Sequence, residues 1–308
     1  MNKAIVIAGP TAVGKTQYSI KIAKAMGCEI VSCDSMQLYK HMDIGSAKPT
    51  PYEIEQVRHY LVDEFDPLKP FSVSTYQKHA LKAMKEITDK GKTPLITGGT
   101  GLYLNSLIYE MDFSLASEDS ELRDELINQA SLFGKDYIHK KLEEIDPEAA
   151  ARIHPNNLKK VIRAIEAATA GRNIKDFNHC QKKNPDYDFT MVCITRDREE
   201  LYDRINNRVD ILIDLGLVDE VKHLMEMGLT YDDISMKGIG YKEIIQHLNG
   251  ETSLEEAIDL VKRNTRHYAK RQITWFKRYE DMKWFNISEY NSDEEAIEEI
   301  INWLTTNA

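Results

Sequence analysis

The chain has 308 residues, 42% hydrophobic and 29% charged, a globular composition with room for a core that needs neither disulfides nor a structural metal. No apolar run approaches the ~20 residues that cross a bilayer, and the short run in MNKAIVIAGP leads directly into a glycine loop, which fits a buried first strand rather than a signal peptide. The formal net charge of −10 argues against a polyanionic partner only until its distribution is read: residues 262–278 hold seven Lys/Arg and no acid, residues 293–299 five acids and no base.

In chain order, KAIVIAG (3–9) is a β-branched run ending at glycine, followed by the helix-like KTQYSIKIAKAMG. CEIVSCD (28–34) repeats the strand pattern and RHYLVDEF (58–65) repeats it weakly. ALKAMKEITDKG (80–91) predicts an amphipathic helix stopped by Gly91, and TPLITGGTG (93–101) a fourth strand with its own glycine loop. Strands alternating with helices imply a parallel sheet covered on both faces. From Asp112 to about Pro185 the pattern is helical: Leu122, Leu126 and Ala130 share one face, as do Tyr137, Ile138, Leu142 and Ile145, and HPNNLKKVIRAIEAATAG runs from an Asn cap to Gly171. The polar HCQKKNPDYD (179–188) reads as a return linker, FTMVCIT (189–195) as a fifth strand, and helices dominate from there to the end. The domains expected are therefore an α/β core of residues 1–111 and 187–308 with a helical insertion at 112–186. Cys28, Cys33, Cys180 and Cys193 form no C-x-x-C pair, so zinc is not expected and a reducing cytoplasm is.

Gly9-Pro10-Thr11-Ala12-Val13-Gly14-Lys15-Thr16 matches G-x-x-x-x-G-K-[ST], and it follows a strand and opens a helix. Main-chain N–H groups and the helix N-terminus form an anion nest, Lys15 reaches an outer phosphate, and the Thr16 hydroxyl suits Mg²⁺. The fold class expected is thus α/β, a P-loop NTPase-like parallel sheet flanked by helices, with an inserted all-helical domain. The loop implies a bound phosphate or diphosphate, of which ATP is one kind. The second strand ends at Asp34, facing the ligand crevice as metal ligand, general base or structural cap. Gln37 adds a planar amide suited to a base edge, and Thr100 arrives from the neighbouring strand end.

The segments GPTAVGKT, DSMQLYK, GSAKP, GGTGLY, RIHPNN followed by RAIE, GIGYKE and YAKRQITWF together resemble the tRNA dimethylallyltransferase (tRNA isopentenyltransferase) family, from residue 5 to about 278. The chain lacks the C-terminal zinc finger of many nuclear and cytosolic members and is similar to the bacterial form. Val13 stands where serine is common and Ser46 where threonine is usual.

The resemblance implies transfer of a dimethylallyl group from dimethylallyl diphosphate to the exocyclic N6 amine of the adenosine 3′-adjacent to the anticodon, with Mg²⁺ as cofactor. Residues 9–16 would then grip the leaving diphosphate, and Thr16 would contact the metal. Asp34 would be the base, held by Ser35 and Gln37, and Thr100 would orient the amine. Arg208, in DRINNRVD, would reach the diphosphate, its other reading being a solvated helix face. For the tRNA anticodon stem-loop the residues expected are Asp34, Ser35, Met36, Gln37, Thr100 and Arg123, then Lys159, Lys160, Val161, Ile162 and Arg163, then Lys237, Gly238, Ile239, Gly240, Tyr241 and Lys242, with the Lys/Arg face of 262–278 on phosphates. Trp275 and Phe276 read as core. No membrane partner and a monomer are expected.

Three rivals remain. A small-molecule kinase would use the loop for ATP but has no use for the basic block at 262–278. An RNA-binding GTPase would need an N-K-x-D guanine motif, which the sequence lacks. Prenyl transfer to free AMP, the activity of a related plant-type family, shares the chemistry, and only the basic segments weigh for tRNA.

Overall fold

The structure, a computed structural model, describes residues 1–111, 120–171 and 182–308; Asp112 and Cys180 lie outside them. The chain forms two compact units, one of Met1–Ile108 with Asn184–Ala308, the other of Tyr109–Lys183.

The first unit is built on a six-stranded, all-parallel sheet: β1 (Asn2–Ala8), β2 (Glu29–Ser32), β3 (His59–Tyr60), β4 (Pro94–Gly98), β5 (Tyr187–Thr195) and β6 (Lys283–Asn286), in the order β3-β2-β4-β1-β5-β6. β2 is buried throughout, and β1 and β4 are buried except at one end, because helices cover both faces of the sheet. The weak third strand contributes only two residues. β5 begins at Tyr187, so the last two residues of the expected linker pair with Asn2 and Lys3 of β1. β6 is a strand the sequence reading passes over as helical: four residues at the sheet edge, recruited by pairing with β5.

The helices of this unit that precede the insertion are α1 (Lys15–Met26), α2 (Pro51–Gln56), α3 (Val73–Asp89) and α4 (Gly101–Ile108). The second unit packs α5 (Ser120–Phe133), α6 (Lys135–Ile145), α7 (Pro147–Arg152) and α8 (Leu158–Thr169) around Leu126, Ile138, Leu142, Ala149, Ala150, Val161, Ile162, Ala164 and Ile165. Asp146 caps α7 by accepting from the Ala149 N–H at 2.9 Å, with Pro147 at the first helical position. Of Tyr137, Ile138, Leu142 and Ile145, expected on one face of α6, Ile138 and Leu142 are buried, while Tyr137 and Ile145 are exposed. An antiparallel bridge between Tyr109 and Lys183 closes this unit.

After β5 the first unit continues with α9 (Arg198–Asp214), α10 (Leu217–Glu226), α11 (Tyr241–Leu248), α12 (Leu254–Phe276) and, after β6, α13 (Asp293–Asn307). The basic block therefore lies mostly on α12. The acidic block opens α13, where Asp293 accepts from the Tyr18 hydroxyl at 2.6 Å and pairs with Arg196, and Glu294 pairs with Lys21. Three strands deliver the site from their carboxyl ends: β1 runs into the glycine loop, β2 into Asp34, and β4 into Thr100. The ends of β2 and β4 approach so closely that a Cβ on Gly98 would lie 2.1 Å from the Cys33 carbonyl oxygen, which glycine alone permits. Among the described residues no helix is long and apolar enough to cross a membrane.

Candidate active site

The glycine loop is held from outside by cations. Arg204 Nε donates to the Ala12 carbonyl at 3.0 Å, Arg196 Nε to the Val13 carbonyl at 3.1 Å, and Lys15 Nζ to the Pro10 carbonyl at 2.7 Å. A trans peptide carries its C=O and N–H on opposite sides. Tying the Ala12 and Val13 carbonyls to the two guanidiniums therefore turns the N–H groups of Val13 and Gly14 the other way. Ala12 is held at φ 63°, an unfavourable region for a residue with a Cβ, and these bonds fix it there. Arg196 is itself fixed by Glu200 at 2.6 Å and Asp293 at 2.8 Å.

From α12, Gln272 reaches the opposite side of the loop. Its Oε1 accepts from the Thr11 N–H at 2.9 Å and its Nε2 donates to the Gly99 carbonyl at 2.9 Å. One buried amide thus joins the β1 loop to the β4 loop. Tyr268, one turn earlier, lies beside the Thr100 side chain, and the Trp275 indole packs on Gly101, where a Cβ would come within 2.2 Å of it. Tyr268, Gln272 and Trp275 share one helical face. That face belongs to the site, whereas Arg263, Lys270, Arg271, Lys277 and Arg278 are exposed. Lys262 pairs with Asp210 and Arg266 bonds Asn206, both on α9. Phe276 is core, as expected.

Asp34 sits in a tight turn. Its Oδ1 accepts from the N–H of Met36 at 2.8 Å and of Gln37 at 3.3 Å. Among the described residues its Oδ2 has no hydrogen-bond partner. The Thr100 hydroxyl oxygen accepts from the Ser35 N–H at 3.1 Å, fixing the two strand ends together. The carboxylate is thus held by main chain, not by the Ser35 and Gln37 side chains. The Gln37 amide nitrogen points elsewhere, to the carbonyls of Ala47 at 3.1 Å and Ser46 at 3.4 Å, so its donor serves the loop after β2 and not a base edge.

Two cavities meet at this turn. One, of about 260 Å³, is the phosphate cradle, lined by Thr11, Ala12, Gly14, Lys15, Thr16, Asp34, Gln37, Arg208 and others. The second, of about 440 Å³, is larger and more apolar, with Tyr39, Tyr103, Ile205, Val209, Leu212 and Leu217 on its wall. Thr11, Asp34, Ser46, Arg208 and Tyr268 line both. Burial pulls the Lys15 ammonium down to about 8, with Asp34 opposing the shift and Arg208 adding to it, so Lys15 is still largely charged at pH 7. Burial also lowers Arg208, again opposed by Asp34. The cradle thus sets two desolvated cations, Lys15 and Arg208, among the carboxylates of Asp34 and Glu53, an arrangement that can take a polyanion together with its counter-cation. Burial and the Asp34 charge push the Tyr268 hydroxyl up to about 12, so it stays a neutral donor.

Among the described residues no three His, Cys, Asp or Glu side chains cluster as an all-protein metal cage. The hard oxygens on the cradle wall include the Thr16 hydroxyl and the carboxylates of Asp34 and Glu53. That donor set fits Mg²⁺, which takes one or two carboxylates together with substrate phosphates and water.

The remaining residues expected at the site divide. Ser35, Met36, Lys237, Gly238, Ile239, Gly240 and Lys242 line the larger cavity. Tyr241 does not: it is fully buried and donates its hydroxyl to Glu220 at 2.9 Å. Arg123, Lys159, Lys160 and Arg163 belong to the second unit. Arg123 makes a two-point contact with Glu166 at 2.7 and 2.8 Å, while Lys159, Lys160 and Arg163 are exposed on α8. Val161 and Ile162 lie in that unit's core, so their side chains serve packing and not a partner. The sequence reading misses Gln272, Tyr268, Arg196 and Arg204 as site-building residues; only YAKRQITWF gives a local signal for the first two.

Comparison with known proteins agrees with this geometry. A family model described as "IPP transferase" matches residues 37–279. A protein of Clostridioides difficile named tRNA dimethylallyltransferase is 55% identical over 300 residues, covering 97% of this chain and 96% of that protein. The crystal structure of full-length tRNA isopentenylpyrophosphate transferase from Bacillus halodurans is 42% identical, with a TM-score of 0.75 over 99% of this chain and 96% of its own. A eukaryotic dimethylallyltransferase, in a study described as crystallographic snapshots of it acting on tRNA, superposes with a TM-score of 0.84 at 27% identity, covering 100% of this chain and 81% of that one.

Proposed function

Because this chain belongs to the IPP transferase family, we propose that it transfers a dimethylallyl group from dimethylallyl diphosphate to the N6 amine of the adenosine 3′-adjacent to the anticodon of tRNA, releasing diphosphate. The observation that carries this reading is the position of Asp34, with one carboxylate oxygen uncommitted, where the phosphate cradle of Lys15 and Arg208 opens into a larger, more apolar cavity.

The cradle residues Gly14, Lys15, Thr16 and Arg208 would take up the negative charge that develops as the allylic carbon–oxygen bond breaks. Mg²⁺, held by Thr16 and the diphosphate oxygens with Glu53 within the same cavity, would neutralise part of that charge when bound. The exocyclic amine is a poor nucleophile because its lone pair is delocalised into the ring. As its nitrogen bonds the allylic carbon, it must lose a proton, and Asp34 Oδ2 would accept it, a contribution of about 10²–10⁴ in rate. Thr100 and Tyr268 would hold the amine in line. The acceptor base must leave its stack to reach a site this deep. Lys237, Lys242 and Arg271 on the larger cavity and Lys159, Lys160 and Arg163 on the helical unit would contact tRNA phosphates. The protein would act as a cytoplasmic monomer.

The test is to supply labelled dimethylallyl diphosphate with Mg²⁺ and either undermodified tRNA or AMP. Label in tRNA is expected. Label in AMP alone would move the acceptor to a free nucleotide, and label in neither would overturn the reading. Transfer of label from γ-phosphate ATP to a small molecule would instead favour the kinase.

A further inference from the structure

The loop that follows β2 forms one wall of the larger cavity through Gly45, Ser46 and Ala47; Leu212 and Leu217, flanking the turn between α9 and α10, form another part of its lining. A single carboxylate joins the two. Glu220 Oε2 accepts from the N–H of Asp43 at 2.8 Å and of Ile44 at 2.7 Å, and Oε1 from the N–H of Gly45 at 3.0 Å and from the Tyr241 hydroxyl at 2.9 Å. Three successive main-chain N–H groups make an anion nest of the kind that elsewhere holds phosphate; here the chain fills it with its own acid.

The same loop is also joined to Tyr241 and to Gln37. A Cβ on Gly45 would lie 2.6 Å from the Tyr241 ring, so loop and ring are in direct contact. The Ser46 hydroxyl donates to the Met42 carbonyl at 2.6 Å, and the Gln37 amide reaches the carbonyls of Ser46 and Ala47. Gln37 donates its own N–H to Asp34. A chain of contacts thus runs from Glu220 through the loop to the turn that holds the base.

We propose that the more apolar of the two cavities receives the allylic group and that Glu220 is a positioning residue that sets donor size: by clasping residues 43–45 to α10 it fixes that cavity's wall and so restricts the allylic group to five carbons. The proposal rests on the prenyl-transfer reading above. A carboxylate is required because four donors converge on it and each oxygen accepts two. Glutamine in its place turns its NH₂ toward at least one main-chain N–H and loses that bond, the Tyr241 hydroxyl being able to accept where it had donated. The wall then loosens, and a longer chain gains most.

The test compares wild type, Glu220→Gln and Tyr241→Phe with dimethylallyl diphosphate and with the ten-carbon allylic homologue geranyl diphosphate, undermodified tRNA being the acceptor, alongside a thermal melt of each protein. In Glu220→Gln the ratio of kcat/KM for the five-carbon over the ten-carbon donor should fall by about tenfold or more, the scale on which pocket shape discriminates alkyl size. The KM for tRNA should stay within about twofold. Tyr241→Phe, which keeps the ring and removes one of the four bonds, should shift the ratio in the same direction by less, and it carries the test if Glu220→Gln does not fold. Equal losses for both donors in step with a lower melting temperature would show a merely structural carboxylate and overturn the proposal. An unchanged ratio with wild-type turnover intact would overturn it as well. Wild type that uses neither donor would overturn the prenyl-transfer reading itself, and the clasp's role with it.

Discussion

The phosphate cradle and the basic face of α8 both present positive charge, yet they are built in opposite ways. In the cradle the carbonyls of Pro10, Ala12 and Val13 and the N–H of Thr11 are each bonded by a side chain, from residues as distant in sequence as Gln272. Lys15 and Arg208 are desolvated there, and burial lowers both. On α8, Lys159, Lys160 and Arg163 stand in water. A desolvated, over-determined group acts through geometry and is costly to lose; a solvated cation acts through counterion release, weakly and nearly additively. The expected effects of mutation fall in that order.

The largest effect belongs to Asp34. Asp34→Asn keeps the Oδ1 acceptor of the turn but cannot take a proton. Single-turnover prenyl transfer should fall by about 10²–10⁴, with tRNA affinity preserved. Near-normal transfer would remove the base from the scheme. Next comes Lys15→Ala, which deletes one donor aimed at the leaving diphosphate and should cost about 10²–10³ in kcat. Loss confined to tRNA binding would break the contrast between cradle and surface.

Gln272 should follow. It touches two loops and carries no charge, so its effect is purely positional. Gln272→Ala frees the Thr11 N–H and the Gly99 carbonyl together and should lower kcat by about 10–100-fold, the cost of a misplaced site. Dissociation of tRNA, measured separately, should change little, because the Gln272 side chain is buried and offers no charge to a phosphate. A kcat left intact with weaker tRNA binding would assign Gln272 to the RNA surface.

The residues of this comparison were unequally legible in the sequence. The cradle could be read because eight consecutive residues carry the motif and the five residues before it, Ala4 to Ala8, are all apolar. Asp34 and Thr100 could be read because both follow strand ends in a parallel sheet. Gln272, Arg196, Arg204 and Glu220 could not, since each reaches its loop from more than 150 residues away, and of the four only Gln272, within YAKRQITWF, has any local signal. β6 was invisible for a related reason: KWFN is too short to declare itself, and only pairing with β5 makes it a strand. On α8 the charges were plain, but placing Val161 and Ile162 among the RNA contacts took a run of neighbours for a surface. The helix turns those two inward, into the core of the second unit. Ile162→Ala should therefore destabilise that unit by about 2–5 kcal/mol, read as a lower melting temperature, with the affinity of the folded protein for tRNA unchanged.

The smallest effects are expected from the exposed cations themselves. Alanine at Lys159, Lys160 or Arg163 should each weaken tRNA binding several-fold at low salt. Each should flatten the slope of log K against log salt by about 0.7–0.9, the release of one counterion. Single-turnover prenyl transfer at saturating tRNA should stay at the wild-type rate, since none of the three has a part in the proposed chemistry. The three losses should also add, because solvated charges on phosphates share no partner. Strong non-additivity, or a fall in the saturated rate, would mean that α8 positions the acceptor base and does not merely hold its backbone, and the contrast with the cradle would then collapse.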